Sequence, residues 1–269
     1  ALIASSTGKK TKRGQAFGFH RAMDTTGAIL GTICAWLLLR HLPWELEMNY
    51  RMIFLLAVIP GVVGVICIIF GAKDKPVQGV RKKPSLDWRK LPPNVRRLVL
   101  ASLVFGIGNY TFTFFILRIL EMGVSEIVVP LVYLVYNMIY MAASIPAGRL
   151  SDRIGRKKVM IAGFALYVIT ATGFALLDSI LMAWVLMGFF GLHMALTDAT
   201  ARAFVSDLAS EEVRGTALGI YHTGIGVVDL PAGVLAGTLW AQFSSTATFL
   251  VGAVLALLSI AILATVKEE

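Results

Sequence analysis

The sequence predicts an all-α, polytopic membrane protein with eight membrane-spanning helices. Hydrophobic residues make up 57% of the chain and charged residues only 15%, and the mean hydropathy of +0.76 is too high for a soluble domain. A helix needs about 20 mostly apolar residues to cross roughly 30 Å of hydrocarbon, where isolated strands cannot satisfy their backbone. Such windows occupy residues 15–39, 51–71, 98–119, 127–147, 158–177, 180–204, 214–240 and 246–266.

A dense cluster of charges lies between the fourth and fifth windows, in the segment GRLSDRIGRKK that begins at Gly148. It resembles the loop signature of the major facilitator superfamily, G-x-L-a-D-R-x-G-R-K, with Ser151 in the small-residue position. An ordinary basic loop would supply arginine and lysine but would not require an aspartate and two glycines at these spacings. We expect the segment to act as a conformational-switch loop through Gly148, Asp152, Arg153, Gly155, Arg156 and Lys157.

The same resemblance predicts a contact for this loop. In the family this copy of the loop bridges two helical bundles on the cytoplasmic side. Asp152 is therefore expected to face the exposed backbone amides near Gly14 and Gln15, where a helix N-terminus favours negative charge.

Basic residues set the predicted orientation in the membrane. With the signature loop in the cytoplasm, all of the 25 lysines and arginines except Arg40, Arg51 and Arg118 fall on the cytoplasmic side. Both ends of the chain are then cytoplasmic, and the expected location is the inner, or plasma, membrane. The net charge of +9 comes from short clusters between apolar segments, so topology explains it better than a nucleic-acid partner does.

The polar, proline-containing segment 73–97 is the only long linker and predicts a boundary between two bundles. An internal repeat supports this, because the segment beginning at Arg13 matches the one beginning at Arg214. The resemblance implies twelve helices in two bundles of six. Residues 1–72 would then be the last two helices of the N-terminal bundle and 98–269 the C-terminal bundle. The chain is interpreted as a fragment carrying helices five to twelve, with its missing N-terminal helices as partners; the alternative is a true eight-helix protein.

Three glycines in the first helix, Gly18, Gly27 and Gly31, follow the spacing of the superfamily's antiporter signature. The match is partial, because Thr32 stands where the signature has proline and Ala35 stands in the place of a further glycine. Gly27 and Gly31 also form a small-residue face on which another helix could pack closely. Helix packing and an antiport role both remain open interpretations.

Ionisable side chains at membrane depth are candidates for proton coupling, because their burial in lipid is costly. Asp229 lies deep in its window and two residues before Pro231, which is expected to disturb the helix, so it either carries a proton or is held by hydrogen bonds near a kink. Asp24 follows Arg21 at a spacing that favours a structural ion pair. His193, at the centre of its window, either exchanges a proton near neutral pH or is held by hydrogen bonds.

A polar and aromatic stripe on the fourth helix is predicted to line a water-filled cavity and touch substrate. It consists of Tyr133, Tyr136, Asn137 and Tyr140, which recur at helical spacing, and Asn109 is expected to face the same space. The two cysteines make no metal site, and no cofactor motif is present.

The resemblance implies a secondary active transporter that is similar to the prokaryotic drug-exporter-like branch of the superfamily. Such proteins open a central site alternately to each side of the membrane, and proton-coupled efflux of a small molecule is the expected activity. The partners would be a small-molecule substrate, protons and the lipid bilayer. A symporter or facilitator is the close alternative. A membrane-embedded enzyme or a sensor on the same scaffold is the alternative of a different class.

Overall fold

The computed structural model describes residues 13–71, 88–109 and 112–268, and all regular structure in these ranges is helical. A single 3-10 turn, Trp88–Lys90, accompanies the α-helices. The α-helices are α1 Arg13–His41, α2 Leu46–Gly71, α3 Pro93–Gly108, α4 Phe112–Glu121, α5 Val129–Ile154, α6 Arg156–Leu176, α7 Ile180–Leu208, α8 Arg214–Gln242 and α9 Ser245–Ala264.

Eight spans of the described chain are long and apolar enough to cross a membrane, which confirms the eight predicted crossings. One of them, Pro93–Glu121, comprises both α3 and α4. The third window, residues 98–119, was expected to be a helix, and in the described residues it contains the end of α3 and most of α4, with Asn109 outside both. Gly106 and Gly108 weaken the helix at this point, and α3 ends at Gly108 before α4 begins at Phe112.

The break is built into the packing around Gly108. Tyr167 of α6 donates a hydrogen bond to the Gly108 carbonyl at 2.5 Å, which replaces a bond that a continuous helix would have made. A side chain at position 108 would lie 2.9 Å from the Gly252 carbonyl of α9, so only glycine fits there.

The start of α3 also differs from the expected boundary. The helix begins at Pro93, whereas residues up to 97 were assigned to the linker. Proline suits a first helical position, since its missing N–H would have no partner there. Of the linker, residues 73–87 lie outside the described residues.

The core is formed by the helices that follow the linker. All seven of them, α3 to α9, contribute buried residues to one continuous apolar cluster. Aromatic side chains fill its centre, and the Phe115 ring packs against Phe174, Phe190 and Phe249 with centroids 4.6–5.1 Å apart.

The first two helices are attached to this core in different ways. Helix α1 lies along α5 and also contacts α7, whereas α2 packs chiefly on α1. The membrane window of α2 contains no buried residue. Helix α1 is therefore the link between the N-terminal part of the described chain and the core.

Contacts near the helix ends fix which ends share a side of the molecule. Asp152 after α5 reaches the start of α1, and Lys157 at the start of α6 binds the Val266 carbonyl after α9. At the other end Arg118 of α4 binds the Phe174 carbonyl of α6. This alternation agrees with the predicted topology, and the assignment of the first side to the cytoplasm remains a prediction.

Candidate functional site

The signature loop is a sharp turn between α5 and α6 that depends on Gly155. This glycine has φ +100°, a region that side chains with a Cβ rarely adopt. The turn lets α6 begin directly after α5 ends, with Arg156 as its first residue.

Asp152 joins this loop to α1, as the sequence predicted. Its Oδ2 accepts a hydrogen bond from the Gln15 backbone N–H at 3.1 Å, and its Oδ1 lies 2.6 Å from Arg156. Arg156 also lies 3.1 Å from Asp207 of α7 and donates to the Ser151 hydroxyl. The side chains of Asp152 and Arg156 are both only 8% exposed. We call Gln15, Asp152, Arg156 and Asp207 the loop junction.

Residues that follow α9 also contact the signature loop and the start of α6. Glu268 accepts a hydrogen bond from the Lys157 backbone N–H at 2.6 Å, which caps the start of α6. The Lys157 ammonium donates to the Val266 carbonyl at 2.8 Å. Of the other signature residues, Gly148 is buried and its carbonyl accepts from Ser151, whereas Arg153 is exposed.

Helix α1 approaches α5 closely at Gly18. A Cβ at this position would lie 2.5 Å from the Ser144 carbonyl, so a larger residue would force the helices apart. Nothing described lies within 4 Å of a Cβ built on Gly27 or Gly31, so a packing role for these two glycines stays a prediction. Nine residues at about 100° each place Gly27 on the opposite side of α1 from Gly18.

A second group of charged side chains joins α1 to the later helices about 9 Å further along α1 than Gln15. Arg21 Nε lies 3.0 Å from Asp198 Oδ2 and also donates to the Tyr140 hydroxyl. Tyr140 in turn donates to Asp198 Oδ2 at 2.6 Å, and Arg202 donates to the same oxygen at 2.6 Å. Asp24 pairs with Arg21 at 2.6 Å, which confirms the predicted ion pair. We call these five residues the deep junction.

Asp198 lies well inside the span Ile180–Leu208. It precedes Asp207, the α7 residue of the loop junction, by nine positions, or about 14 Å of helix rise. The sequence reasoning missed Asp198 and Arg202. A usable signal was present, because an aspartate and an arginine four residues apart in a membrane window are themselves candidates for function.

The tyrosine stripe packs between helices. Tyr136, Asn137 and Tyr140 are buried, and Tyr133 is half-buried. The Tyr133 and Tyr136 rings stack with centroids 5.3 Å apart, and the Tyr140 ring lies tilted against Tyr136 with centroids 5.8 Å apart. Asn137 donates to the Tyr133 carbonyl at 2.9 Å. Contact of the stripe with substrate therefore stays a prediction for another conformation.

His193 and Asn109 carry buried polar atoms that have no hydrogen-bond partner among the described residues. His193 is fully buried, and its Nδ1 lies 2.8 Å from the Gly163 carbonyl while its Nε2 is unpaired. The Phe105 and Tyr167 rings lie against it, with centroids 5.3 and 5.2 Å away. Asn109 follows the end of α3, and its Oδ1 is unpaired.

Asp229 differs from the expectation of a buried group beside a disturbed helix. Helix α8 runs unbroken through Pro231, and the Asp229 side chain is exposed. It has no hydrogen bond or ion pair with any other described residue. The neighbouring Val227 and Leu230 are 67% and 75% exposed, so this face of α8 is open within the described chain.

The described residues contain no group of three or more histidine, cysteine or acidic residues placed to hold a metal ion. The arrangement instead combines two polar junctions on one helix with isolated ionisable groups at membrane depth. The sequence model of the family described as Major Facilitator Superfamily matches this chain twice, over residues 1–141 and over residues 98–269. The chain belongs to the Major Facilitator Superfamily.

Individual relatives within the superfamily agree with this assignment. The chain is 38% identical over 266 residues to an uncharacterised MFS-type transporter of Methanocaldococcus jannaschii, an alignment that covers 96% of this chain and 65% of that protein. It is 30% identical over 141 residues to the inner membrane transport protein YajR of Escherichia coli, covering 52% of this chain and 30% of the relative. The chain thus spans less than two thirds of the length of these relatives.

A shorter similarity links this Major Facilitator Superfamily chain to the arabinose-proton symporter of Escherichia coli. The two are 35% identical over 75 residues, which is 28% of this chain and 16% of the symporter.

Proposed function

We propose that the protein is a secondary active transporter that exports a small molecule in exchange for protons, as in the drug-exporter-like prokaryotic branch of the superfamily. The complete protein would contain twelve helices, of which this chain carries helices five to twelve. Residues 1–72 would end the N-terminal bundle, 73–97 would link the bundles, and 98–269 would form the C-terminal bundle.

The loop junction is the observation that carries this proposal. Alternating access requires two bundles that meet on one side of the membrane through contacts that can be made and broken. Asp152 binds the Gln15 backbone amide of α1 across this boundary, and Arg156 ties the same carboxylate to Asp207 of α7. In the proposed cycle the junction holds the cytoplasmic side closed, and its release opens that side.

Protons would be carried by ionisable groups at membrane depth. Asp229 is our first candidate, because its carboxylate is exposed on α8 and has no ionic partner in the described chain that would compete with a proton. Asp24 is paired with Arg21, and His193 has one unpaired ring nitrogen. The tyrosine stripe and Asn109 would contact the substrate, with Gly18, Gly27 and Gly31 contributing an antiporter-like helix α1.

Transport by the full-length protein in sealed liposomes tests the proposal. A panel of labelled small organic solutes is loaded, a pH gradient is imposed, and both the movement and the chemical identity of each label are followed. We expect gradient-dependent movement of an unchanged solute. Covalent change of the solute would indicate an enzyme, and the absence of movement for every solute with specific binding of one would favour a sensor.

The coupling role of Asp229 needs its own variant. Asp229→Asn should abolish accumulation driven by the pH gradient while exchange of substrate between the two sides continues. Asp178→Asn serves as the control, since Asp178 is an exposed carboxylate between α6 and α7 at the opposite end from the loop junction. Unchanged gradient-driven transport in Asp229→Asn would remove this residue from coupling.

A proton symporter is the second candidate function, favoured by the partial similarity to the arabinose-proton symporter. The sign of the coupling separates the two. When the cytoplasmic face of the protein lies inside the vesicle, an exporter that exchanges its substrate for protons acidifies the vesicle interior as the solute leaves. A symporter moves the solute and the protons in the same direction.

A further inference from the structure

The deep junction is centred on one carboxylate oxygen. Oδ2 of Asp198 lies 3.0 Å from Arg21 Nε, 2.6 Å from the Tyr140 hydroxyl and 2.6 Å from Arg202. The Arg21 guanidinium carbon also stands 4.9 Å above the centre of the Tyr140 ring. Three helices, α1, α5 and α7, therefore meet at this single acceptor.

The charges in this junction are balanced in a particular way. Arg21 has a second acidic partner on its own helix, Asp24 at 2.6 Å, and Asp198 has a second basic partner on its own helix, Arg202 at 2.6 Å. If α1 moved away from α7, each helix would keep one complete ion pair. No charge would be left alone at membrane depth, where an unpaired charge is costly.

Other titratable groups surround the junction. Tyr136 of α5 and both Tyr221 and His222 of α8 lie close enough to Asp198 for electrostatic interaction. None of them carries a fixed charge of the kind that Arg21 and Arg202 supply. The contact between α1 and α7 at this depth is thus decided by Arg21 and Asp198, with the Tyr140 hydroxyl between them.

We propose that Arg21 and Asp198, bridged by Tyr140, form a reversible latch that holds α1 against α5 and α7 when the cytoplasmic side is closed and separates when that side opens. This inference rests on the proposed alternating-access function. Asp24 and Arg202, which already pair with Arg21 and Asp198 in this state, are the holding partners that keep these two charges paired after separation. Their presence makes the open state accessible, because opening breaks the contact between the helices and leaves no charge unpaired.

A buried position between the same helices reports on the latch. Ala203 of α7 is fully buried and packs with Ala199 against Phe17 of α1. In full-length protein whose native cysteines are replaced, Ala203→Cys should react slowly with a membrane-impermeant maleimide applied from the cytoplasmic side of inverted vesicles. Separation of α1 from α7 would expose the thiol, so the labelling rate measures the open population.

Two groups of variants should shift this rate in opposite directions. Asp198→Asn and Arg21→Gln remove the latch, and each should raise the labelling rate by roughly tenfold through a shift of the open population. Tyr140→Phe keeps the ring and should raise it less. Arg202→Gln and Asp24→Asn each remove a holding partner, so separation of the helices would leave Asp198 or Arg21, respectively, without an ion pair. The labelling rate should therefore stay the same or fall.

The double variant Asp198→Asn with Arg21→Gln should label no faster than either single variant, because both remove one contact. Size-exclusion profiles show whether each variant is folded. If a charge variant does not fold, the labelling rate of Tyr140→Phe still tests the latch. Equal rates in Asp198→Asn, Tyr140→Phe and the parent would overturn the latch. So would a rise in Asp24→Asn as large as that in Asp198→Asn.

Labelling needs neither substrate nor a proton gradient, so the latch and the proposed function fail separately. If the variants change the labelling rate as expected but no solute is transported, the latch is retained as a conformational contact and the transport proposal is rejected. If solute is transported but no latch variant changes the labelling rate, the transport proposal is retained and the latch is rejected.

Discussion

The loop junction and the deep junction hold the same helix by different chemistry. At the loop junction Asp152 binds the Gln15 backbone amide in the first turn of α1, so the contact does not depend on the side chain at that position. At the deep junction Asp198 binds the side chain of Arg21, so the contact requires one residue type at one position. The Asp152 side chain is 8% exposed and that of Asp198 is 26% exposed. The first contact comes from the signature loop, and the second comes from side chains outside that loop.

The two junctions also differ in what separation would leave behind. Asp152 would keep Arg156, but the Gln15 amide would lose a charged acceptor. At the deep junction both partners keep an ion pair on their own helices. We therefore expect the loop junction to contribute more to the stability of the closed state and the deep junction to set how readily that state opens.

The largest effect is expected from breaking the loop junction at its arginine. Arg156→Ala leaves the carboxylates of Asp152 and Asp207 without their shared cation, and loss of one partner of a buried ion pair costs about 3–5 kcal/mol. Unfolding in detergent micelles would measure the loss. Arg153→Ala is the control, because Arg153 lies in the same turn but is exposed. A loss no greater than that of the control would mean that the loop junction does not stabilise the protein.

A wedge between α1 and α5 should weaken both junctions together. Gly18→Val places atoms against the Ser144 carbonyl, and overpacking of this kind costs roughly 1–3 kcal/mol. Gly27→Val is the matched control, since nothing described lies within 4 Å of that position. Thermal unfolding should show a lower midpoint for the first variant only. Equal midpoints would show that α1 can move away from α5 without loss.

Removal of one hydroxyl from the deep junction should lower the free energy of unfolding by less than the loss of Arg156 from the loop junction. Tyr140→Phe deletes the group that lies between Arg21 and Asp198, and the loss of a hydrogen bond to a charged partner is about 1.5 kcal/mol. Tyr136→Phe changes a neighbouring ring whose hydroxyl bonds neither of these charges. A loss for Tyr136→Phe as large as that for Tyr140→Phe would contradict the bridging role of Tyr140.

The smallest effect concerns the support behind the loop junction. Glu268→Gln removes the negative charge at the start of α6 but keeps an acceptor for the Lys157 amide, and such a charge contributes about 0.3–1 kcal/mol. The loss should shrink as salt is raised, because Glu268 is exposed and its charge is screened. A salt-independent loss would show that the contact is steric, consistent with the tight fit against Gly155.

The features that the sequence predicted correctly depend on local pattern. Apolar windows located the crossings, and the glycine and charge spacing of the signature loop predicted the contact between Asp152 and α1. The i, i+3 spacing likewise predicted the pairing of Arg21 with Asp24.

Rotation of one helix against another could not be predicted from the same patterns. Gly18 and Gly27 look alike in sequence, yet only Gly18 faces α5. The contact between Arg21 and Asp198 depends on how α1 is turned relative to α7, and neither helix alone contains that information. The surroundings of Asp229 depend on which residues cover α8, and the sequence of α8 itself does not contain that information.

The interruption after Gly108 gives one membrane crossing a mechanical property that the other crossings lack. A continuous helix transmits rotation along its whole length, but α3 and α4 are separate rods within one span. The Tyr167 hydroxyl, not the next helical turn, satisfies the Gly108 carbonyl, so the end of α3 is tied sideways to α6. We therefore expect α4 to tilt without turning α3, so that the half of this crossing nearest the loop junction stays anchored while the other half moves.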